Sequence, residues 1–515
     1  MSYEKTPDRS QVFLLPPSLD DWVPQDHPVR FIDAFVESLE LQSLGFEVGH
    51  APTGRPRYSA RLLLSVFLYC YFDRIRSLRR MERACLENVA LMWLTGNEHP
   101  DHNTLWRFFR DNKTAIRKVL KQSVKVAVAS ELVGMVLHAV DGTKIEARAS
   151  CKSAYFRNKL DKTLKRVDAS ISEMERLLEA SEADGIDSYR LPEKLADAKQ
   201  RKEKIRQSLA ELDQTERKSL QPSEPDARVM KCGGKRVFGY NAQAVTDDKA
   251  GIIVGEDVVT DESDAGLLGS MIDRVKENVG ATAETTLADK GYSAAEDLAE
   301  AETKGYKVLV NLGKHVNPPA GDKPFHASRF LYDPRNDCCI CPLGNTLPFQ
   351  RLKSARRGDG KVRVYHCTGY KDCPKRWQCS SNKRGRTIAL IEHHAAVEKQ
   401  RAKQQDEEAK AKLKRRAVIA EPPFAFAKQT LDFRCWSFRD LEGNRTQWSL
   451  MCTTINLHKL YAAWRQGKVP FAKTGLTRAV LRSLCAAPVL AIFAGKLALP
   501  FQWRPTGSLS PSPTS

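Results

Sequence analysis

Three acidic side chains stand in settings that suit the binding of divalent metal ions. Asp141 follows the apolar run MVLHAV, Asp289 ends the segment ETTLAD, and Glu421 precedes the segment PPFAFAK. Carboxylate oxygens suit magnesium or manganese. Two such ions, about 3.5 to 4 Å apart, stabilise the attacking and leaving oxygens of a phosphodiester exchange. The chain has 63 acidic residues, so this trio carries weight only if the surrounding elements bring its members together.

The pattern around the first two acids indicates an α/β layer with a mixed sheet. Strand-like segments occur at MVLHAV, FGYNAQAVTD, GIIVGEDVVT, ETTLAD and YKVLVNL, and helical segments separate the later ones. Asp141 is predicted to close the first strand, and Asp289 to close the fourth. Glu421 is predicted to stand at the start of a helix, because Pro422 suits the first helical turn. A separate charged helix is predicted before it, over residues 396–416.

Two inserts interrupt this predicted layer. Within residues 158–220, leucines and other apolar residues follow the 4-3 spacing of a heptad seam, which resumes after the turn ADGID. This spacing predicts an antiparallel helical hairpin. The hairpin serves either self-association or contact with DNA, and the sequence leaves both open. The second insert, residues 326–395, is rich in cysteine.

Six of the 13 cysteines lie between Cys338 and Cys379, which indicates metal binding or plain packing rather than a disulfide framework. Four of them follow the spacing C-x25-C-x5-C-x5-C and supply enough thiolates for a structural zinc ion, with reduced, packed thiols as the alternative. These four are Cys341, Cys367, Cys373 and Cys379. Cys338 and Cys339 are spare, and His366, His393 and His394 are alternative ligands.

The charge of the chain favours a polyanionic partner. Lysine and arginine number 82 against 63 acids, so the net charge is +19. Residues 1–130 are predicted to form a helical domain with clustered arginines. The segment PDHNTLWRFFRDN is either a DNA-reading helix or an ordinary amphipathic helix. The side chains predicted to contact DNA are Arg55, Arg57, Arg79, Arg80, Arg107, Arg110, Arg415, Arg416 and Lys428.

The ends of the chain carry no targeting pattern that we recognise. The start, MSYEKTPDRSQVF, lacks a basic segment followed by a long apolar run, so we expect a cytoplasmic protein associated with the nucleoid. The apolar stretch 481–501 contains Arg482, Pro488 and Lys496, which argues against a membrane span. Residues 466–515 drift into a Pro/Ser/Thr composition and are predicted to be a partly disordered tail.

Several segments, in one order, resemble a known family. They are LLPPSLDDWVPQDHPVRF, HNTLWRF, DGTKIEARAS, GYNAQAV, LADKGY and RRAVIAEPPFAFAK followed by NLHKL. Over residues 8–465 the chain resembles transposases of bacterial insertion sequences that carry a DDE triad on a ribonuclease-H-like fold. The resemblance implies that Asp141, Asp289 and Glu421 are the metal ligands. It also implies that Tyr292 and Lys428 lie near these ligands. The alternative for Tyr292 is a ring packed in the core, and the alternative for Lys428 is a solvated lysine on a helix.

The chain departs from the family's EPxFxxxK run by a second proline, Pro423, which restricts Pro422. The resemblance implies a catalytic domain formed by residues 131–157, 221–325 and 396–465. It further implies a DNA transposase that uses Mg²⁺ or Mn²⁺ and acts on terminal inverted repeats and target DNA as a homodimer. The alternatives are a catalytically inactive or domesticated DNA-binding relative and a scaffold that mediates protein contacts.

Overall fold

The structure is a computed structural model, and it describes residues 18–47, 57–149, 154–184, 191–215, 217, 219–312, 324–354 and 361–468. Predicted features that fall outside these ranges include the start of the chain, Arg55, the turn of the hairpin at 185–190 and the tail from residue 469 onward.

The N-terminal part is helical, as predicted. Its helices are α1 (Leu19–Trp22), α2 (Pro28–Glu37), α3 (Leu41–Leu44), α4 (Ala60–Phe72), α5 (Leu78–Glu87), α6 (Val89–Thr95), α7 (His102–Asp111) and α8 (Lys113–Ala129). The segment SLRRMERACLENVALMWL reads as one helix in sequence but forms two. The side chain of Asn88 accepts hydrogen bonds from the N–H groups of Ala90 and Leu91, so it caps a new helix, α6.

A mixed sheet forms the centre of the molecule, which confirms the predicted α/β layer. Its six strands are β1 (Leu137–Glu146), β4 (Arg228–Cys232), β5 (Lys235–Asp247), β6 (Ile253–Val259), β7 (Thr285–Ala288) and β8 (Val308–Val310). Strand β5 runs antiparallel to β1, and its other edge pairs with β4 and β6. Strands β7 and β8 continue the sheet beyond β1 in parallel. The sequence reading missed β4, which precedes the turn Gly233–Gly234.

Each face of the sheet is covered by helices. The helices that follow the strands are α11 (Leu268–Val279), α12 (Ala295–Thr303), α14 (His394–Lys403), α15 (Glu407–Ala425) and α16 (Leu441–Arg465). Leu137, Ala139 and Leu287 pack against Ile419 and Ala420 of α15 on one face. Helix α11 lies on the other face, where Val275 abuts Gly255 of β6. Alternate strand residues share a face, so Asp141 points to the face that α15 covers.

The first insert is a helical hairpin, as the seam predicts. Helices α9 (Arg157–Asp184) and α10 (Leu191–Gln214) follow the short strand β2 (Tyr155–Phe156), which pairs with β3 (Ser219–Leu220). Ion pairs between Lys202 and Asp168 (2.7 Å) and between Lys199 and Glu175 (2.9 Å) show that the two helices run antiparallel. Residues 157–214 contain 13 basic and 13 acidic side chains, so the hairpin has no net charge.

The cysteine-rich insert is a five-stranded antiparallel sheet, which the sequence reading did not anticipate. Its strands pair in chain order: β9 (Leu331–Asp333), β10 (Cys338–Ile340), β11 (Thr346–Ser354), β12 (Lys361–His366) and β13 (Thr387–Ile391). The short helix α13 (Arg376–Cys379) lies between the last two strands in sequence. The small core of this sheet contains Cys339, Leu347 and Tyr365.

The helix around Glu421 differs from the prediction. Helix α14 ends at Lys403, and α15 then runs without a break through Glu421, Pro422 and Pro423 to a π-helical turn at Phe426–Thr430. Glu421 therefore lies near the end of a helix and not at its start. Each proline costs about 3 kcal/mol inside a helix, whereas burying a Phe or Ile side chain contributes about 1.5–3 kcal/mol. Burial of Ile419, Pro423 and Phe424 offsets a cost of that size.

Among the described residues, no helix is long and apolar enough to cross a membrane.

Candidate active site

Strand register brings the first two predicted acids together. Strand β1 pairs in parallel with β7 up to Ala139 opposite Leu287, so Asp141 and Asp289 each lie two residues beyond the last pair. The prediction that Asp141 closes its strand is wrong, because β1 continues to Glu146 along β5, with Asp141 opposite Ala244. Asp289 does follow the end of its strand, β7. The shorter β7 leaves Asp141 at an open edge of the longer β1.

Both carboxylates are held by nearby glycine N–H groups. Asp141 Oδ1 accepts a hydrogen bond from Gly142 N at 2.8 Å, and Asp289 Oδ1 accepts one from Gly291 N at 2.7 Å. Burial raises the pKa of Asp141, and the charge of Asp289 raises it further, against the lowering effects of the Gly142 bond and of Arg416. A partly desolvated pair of carboxylates is a setting that gains from a bound cation.

Arg416 stands between Asp141 and the third predicted acid. Its Nη1 donates to Asp141 Oδ2 at 3.2 Å, and its Nη2 lies 4.0 Å from Glu421 Oε1. The Glu421 side chain is 64% exposed, whereas that of Asp141 is 21% exposed. Within the described ranges, no three His, Cys, Asp or Glu side chains are gathered closely enough to hold a metal ion. The two aspartates lie on adjacent strands and have the oxygen donors that suit a hard divalent cation, and Glu421 is connected to Asp141 through Arg416.

Tyr292 and Lys428 both contact the surroundings of the acids. Lys428 Nζ donates to the hydroxyl of Thr143, two residues after Asp141, and burial lowers the pKa of this lysine. It is partly buried, unlike the solvated lysine of the alternative interpretation. Tyr292 is fully buried, which raises its pKa, and its hydroxyl donates to the side-chain oxygen of Gln243.

Sequence reasoning missed four polar residues beside this site: Lys144, Asn241, Gln243 and Asp264. They form a hydrogen-bonded cluster on the face of the sheet opposite to the side chain of Asp141. A signal was present in the segment GYNAQAV. Asn241 and Gln243 alternate with Ala242 and Ala244 along β5, so one face of an otherwise apolar strand is polar.

The arginines predicted to contact DNA have different environments. Arg79, Arg80 and Arg107 are exposed on α5 and α7. Others form ion pairs on the surface: Arg57 with Glu47, Arg110 with Asp111, and Arg415 with Asp248. Helix α7 also packs on the core of the protein, because Trp106 stacks on Phe438 at 5.9 Å between ring centroids. Part of the predicted DNA-reading helix is therefore occupied by internal packing.

The four predicted zinc ligands lie in one corner of the cysteine-rich sheet. Burial raises the pKa of Cys367, and the charges of Cys341 and Cys373 raise it further. Burial also raises the pKa of Cys379, against the lowering effect of Arg386, and the charges of the other three thiols raise it further. Cys341 Sγ accepts backbone hydrogen bonds from Leu343 and Asn345, each at 3.3 Å. Within the part of the chain that the structure describes, the four cysteines are not drawn together as a metal site.

The spare cysteines and the histidines predicted as alternative zinc ligands have other partners or lie in other elements. Cys338 and Cys339 are buried in β10. His366 bonds to the carbonyl oxygen of Arg384, and His394 pairs with Glu398 at 3.1 Å. His393 begins α14 in the left-handed backbone region, with φ of 60°.

Comparison with known proteins gives two family matches. Residues 17–111 match a family model described as a transposase domain of type DUF772, and residues 340–461 match one described as a transposase DDE domain. The second match contains Glu421 and Lys428, whereas Asp141 and Asp289 lie outside both matches. A search of curated proteins gives no significant relative.

One solved structure aligns with the chain at low similarity. It is described as a cryo-EM structure of a piggyBac transposase synaptic complex with hairpin DNA. The alignment covers 92% of this chain and 82% of that chain, at 9% identity and a TM-score of 0.29, which is too low to bear on the fold. Together the two family matches, one in the N-terminal helical region and one around the third acid, support a DDE-type transposase.

Proposed function

We propose that the chain cleaves the ends of a mobile DNA element and joins them to target DNA, with Asp141, Asp289 and Glu421 as the ligands of divalent ions. The observation that carries this proposal is the register of β1 and β7, which puts two aspartates side by side under the helix that bears Arg416 and Glu421. We further propose that the central sheet is the ribonuclease-H-like domain that the family resemblance implies. Its order supports this: three antiparallel strands, β6, β5 and β1, adjoin two parallel ones, β7 and β8.

The residues present have separable roles in this chemistry. Divalent ions held by the carboxylates would lower the pKa of the attacking hydroxyl or water and stabilise the leaving oxygen. Asp141 and Asp289 provide anionic oxygens fixed by backbone N–H groups. Arg416 offsets the charge of Asp141 in the absence of ions. Lys428, held at Thr143, supplies a positive charge beside the acids, where a phosphate group of the DNA would lie.

The charge distribution favours the cysteine-rich insert as part of the DNA path. Residues 326–395 contain 14 basic and 5 acidic side chains, close to half of the chain's net charge of +19. Trp377 is 68% exposed there, with the guanidinium of Arg376 4.5 Å from the centre of its ring. Exposed aromatic rings among cations suit stacking with unpaired bases. The helical hairpin has no net charge, which favours self-association of the hairpin over its use as a DNA-binding arm.

A cleavage assay tests the proposal. The full chain is incubated with Mg²⁺ and duplex DNA that carries the inverted repeats flanking its gene, and the nicked and joined products are measured. We expect Asp141→Asn and Asp289→Asn to abolish the products. Asp248→Asn is a matched control, because Asp248 accepts a hydrogen bond from Arg415 at 3.2 Å, the distance at which Asp141 accepts one from Arg416.

One observation favours the second candidate, an inactive DNA-binding relative: the three acids are not gathered as a metal site. If the chain is such an inactive relative, the wild type binds the element ends but yields no more product than the two aspartate variants. Binding that shows no loss with rising salt would contradict both candidates, because phosphate contacts release counterions.

A further inference from the structure

We propose that Gln243 and Asp264 are positioning residues that hold Asp141 and Asp289 at the separation required for metal binding. This inference rests on the proposed function, because it assumes that the two aspartates bind divalent ions. It is carried by a network of hydrogen bonds on the opposite face of the sheet, which involves neither of the two carboxylates directly.

Asp264 is the acceptor at the centre of this network. It lies in the loop between β6 and α11, and its Oδ1 accepts hydrogen bonds from three side chains on two different strands. The donors are Lys144 Nζ of β1 at 2.9 Å, Asn241 Nδ2 of β5 at 2.8 Å and Gln243 Nε2 of β5 at 2.9 Å. Removing this carboxylate would leave a half-buried ammonium group and two buried amide donors without their acceptor, which is costly.

Gln243 connects Asp264 to the turn that carries Asp289. Its Nε2 also donates to Asn241 Oδ1 at 2.9 Å, and its Oε1 accepts the hydroxyl proton of Tyr292. Tyr292 lies three residues after Asp289, in the single turn of 3-10 helix that Asp289 caps. The network thereby ties this turn to the paired strands β1 and β5 at the level of Asp141.

Two glycines, each close in sequence to one of the aspartates, make room for the network. A Cβ on Gly142 would lie 2.1 Å from Gln243 Nε2 and 3.0 Å from Asn241 Oδ1. A Cβ on Gly291 would lie 2.9 Å from Asp289 Oδ1 and 3.1 Å from Asp264 Oδ2. These separations are shorter than, or at the limit of, what carbon and polar atoms tolerate. The glycine of DGTK thus leaves room for the network itself, whereas that of LADKGY leaves room for the Asp289 carboxylate and for Asp264.

A purely structural network would affect stability alone, whereas a positioning network also sets metal affinity. We therefore compare Mn²⁺ binding by the full-length wild type with binding by Gln243→Met and Asp264→Asn, using electron paramagnetic resonance of free Mn²⁺. We expect the dissociation constant to rise by about 10- to 100-fold in both variants, the usual range for residues that orient metal ligands. The Mn²⁺ binding that is lost in the Asp141→Asn variant is the binding that belongs to the proposed active site.

Asp273→Asn is the matched control. Asp273 also accepts hydrogen bonds from a lysine, Lys304 at 2.7 Å, and from a tyrosine hydroxyl, that of Tyr306, but on α11 and remote from the network. We expect it to leave Mn²⁺ affinity unchanged. Each variant is measured about 20 °C below its own unfolding midpoint, so that lost stability does not count as lost affinity.

The outcomes separate this inference from the proposed function. If the wild type binds Mn²⁺ through Asp141 and cleaves DNA, but Gln243→Met and Asp264→Asn keep its affinity within twofold, the positioning role is wrong and the proposed function stands. A lower melting temperature at unchanged affinity leads to the same conclusion. If the wild type binds no Mn²⁺ and cleaves no DNA, the proposed function itself fails, and the inference fails with it.

Discussion

Arg416 donates a hydrogen bond to Asp141 at 3.2 Å between Nη1 and Oδ2, and so ties the helix α15 to the strand that bears the first acid. The other terminal nitrogen of Arg416 lies 4.0 Å from Glu421. Residues five apart on a helix do not share a face, which explains why Glu421 remains exposed while Arg416 is directed at the sheet. A cation thus already lies between two of the predicted metal ligands.

Replacement of Arg416 by glutamine separates its two roles. The guanidinium of Arg416 competes with Mn²⁺ for Asp141, so its removal should tighten Mn²⁺ binding. A partly exposed ion pair of this kind contributes about 1 kcal/mol, which corresponds to roughly fivefold tighter binding. DNA cleavage should nevertheless fall, since a positive charge beside the acids is lost. Calorimetric Mn²⁺ titration and the cleavage assay measure the two effects. The control is Arg274→Gln, which removes a comparable ion pair with Asp257, at 3.3 Å, from helix α11. Weaker Mn²⁺ binding in Arg416→Gln would show that the arginine organises the acids rather than competes for them.

Gly142→Ala should destabilise the fold through a clash with Gln243. The added Cβ would lie 2.1 Å from Gln243 Nε2, and overpacking of this kind costs about 1–3 kcal/mol. In a Gln243→Ala background the same change should cost less, because the colliding group is absent, and the two effects should not add. Thermal unfolding of the two single variants and the double variant completes the cycle. Additive losses would mean that the glycine is required for another reason.

Asp297→Asn should raise stability at neutral pH. Asp297 is 3% exposed, and burial raises its pKa to about 6 against the lowering effect of a hydrogen bond from Gly266. An acid whose pKa is higher in the folded state stabilises the fold below its unfolded pKa, and this stabilisation is lost as the pH rises to about 6. The shift of about two pKa units corresponds to on the order of 3 kcal/mol.

The corresponding measurement is the melting temperature at several pH values. The advantage of Asp297→Asn over the wild type should be absent near pH 4, grow up to about pH 6 and stay constant above it. Glu284→Gln, an exposed acid outside α12, is the control and should show no such trend. A pH-independent difference for Asp297→Asn would mean that the carboxyl is not protonated in the fold.

The zinc hypothesis for Cys341, Cys367, Cys373 and Cys379 stays a prediction. We expect one zinc ion per purified chain by mass spectrometry, because four cysteine thiolates from one small sheet supply the full ligand set of a structural zinc ion. Cys373→Ser should lower the zinc content, whereas Cys435→Ser, an exposed cysteine outside the cluster, should not. A metal-free wild type whose four thiols all react with a thiol reagent would favour reduced, packed cysteines.

The amino-acid sequence by itself determined the local features of this protein. The N-terminal helices, the hairpin and five of the six central strands follow from apolar spacing, which depends only on near neighbours in the chain. The concentration of positive charge in the cysteine-rich insert is also a property of the sequence alone. Asp141 and Asp289 each follow a short apolar run, and the resemblance of their motifs DGTKIEARAS and LADKGY to a transposase family singled them out as metal ligands.

Tertiary structure decided how these features meet. The pairing of β1 with β7 places Asp141 beside Asp289, and strand register depends on contacts between segments far apart in sequence. Packing also overrode a local rule: Pro422 predicts a helix start, yet burial of Ile419 and Phe424 carries α15 past Glu421. Only the fold shows Arg416 between the acids and Gln243 behind them, because hydrogen bonds between strands, loops and helices have no signature in any single segment.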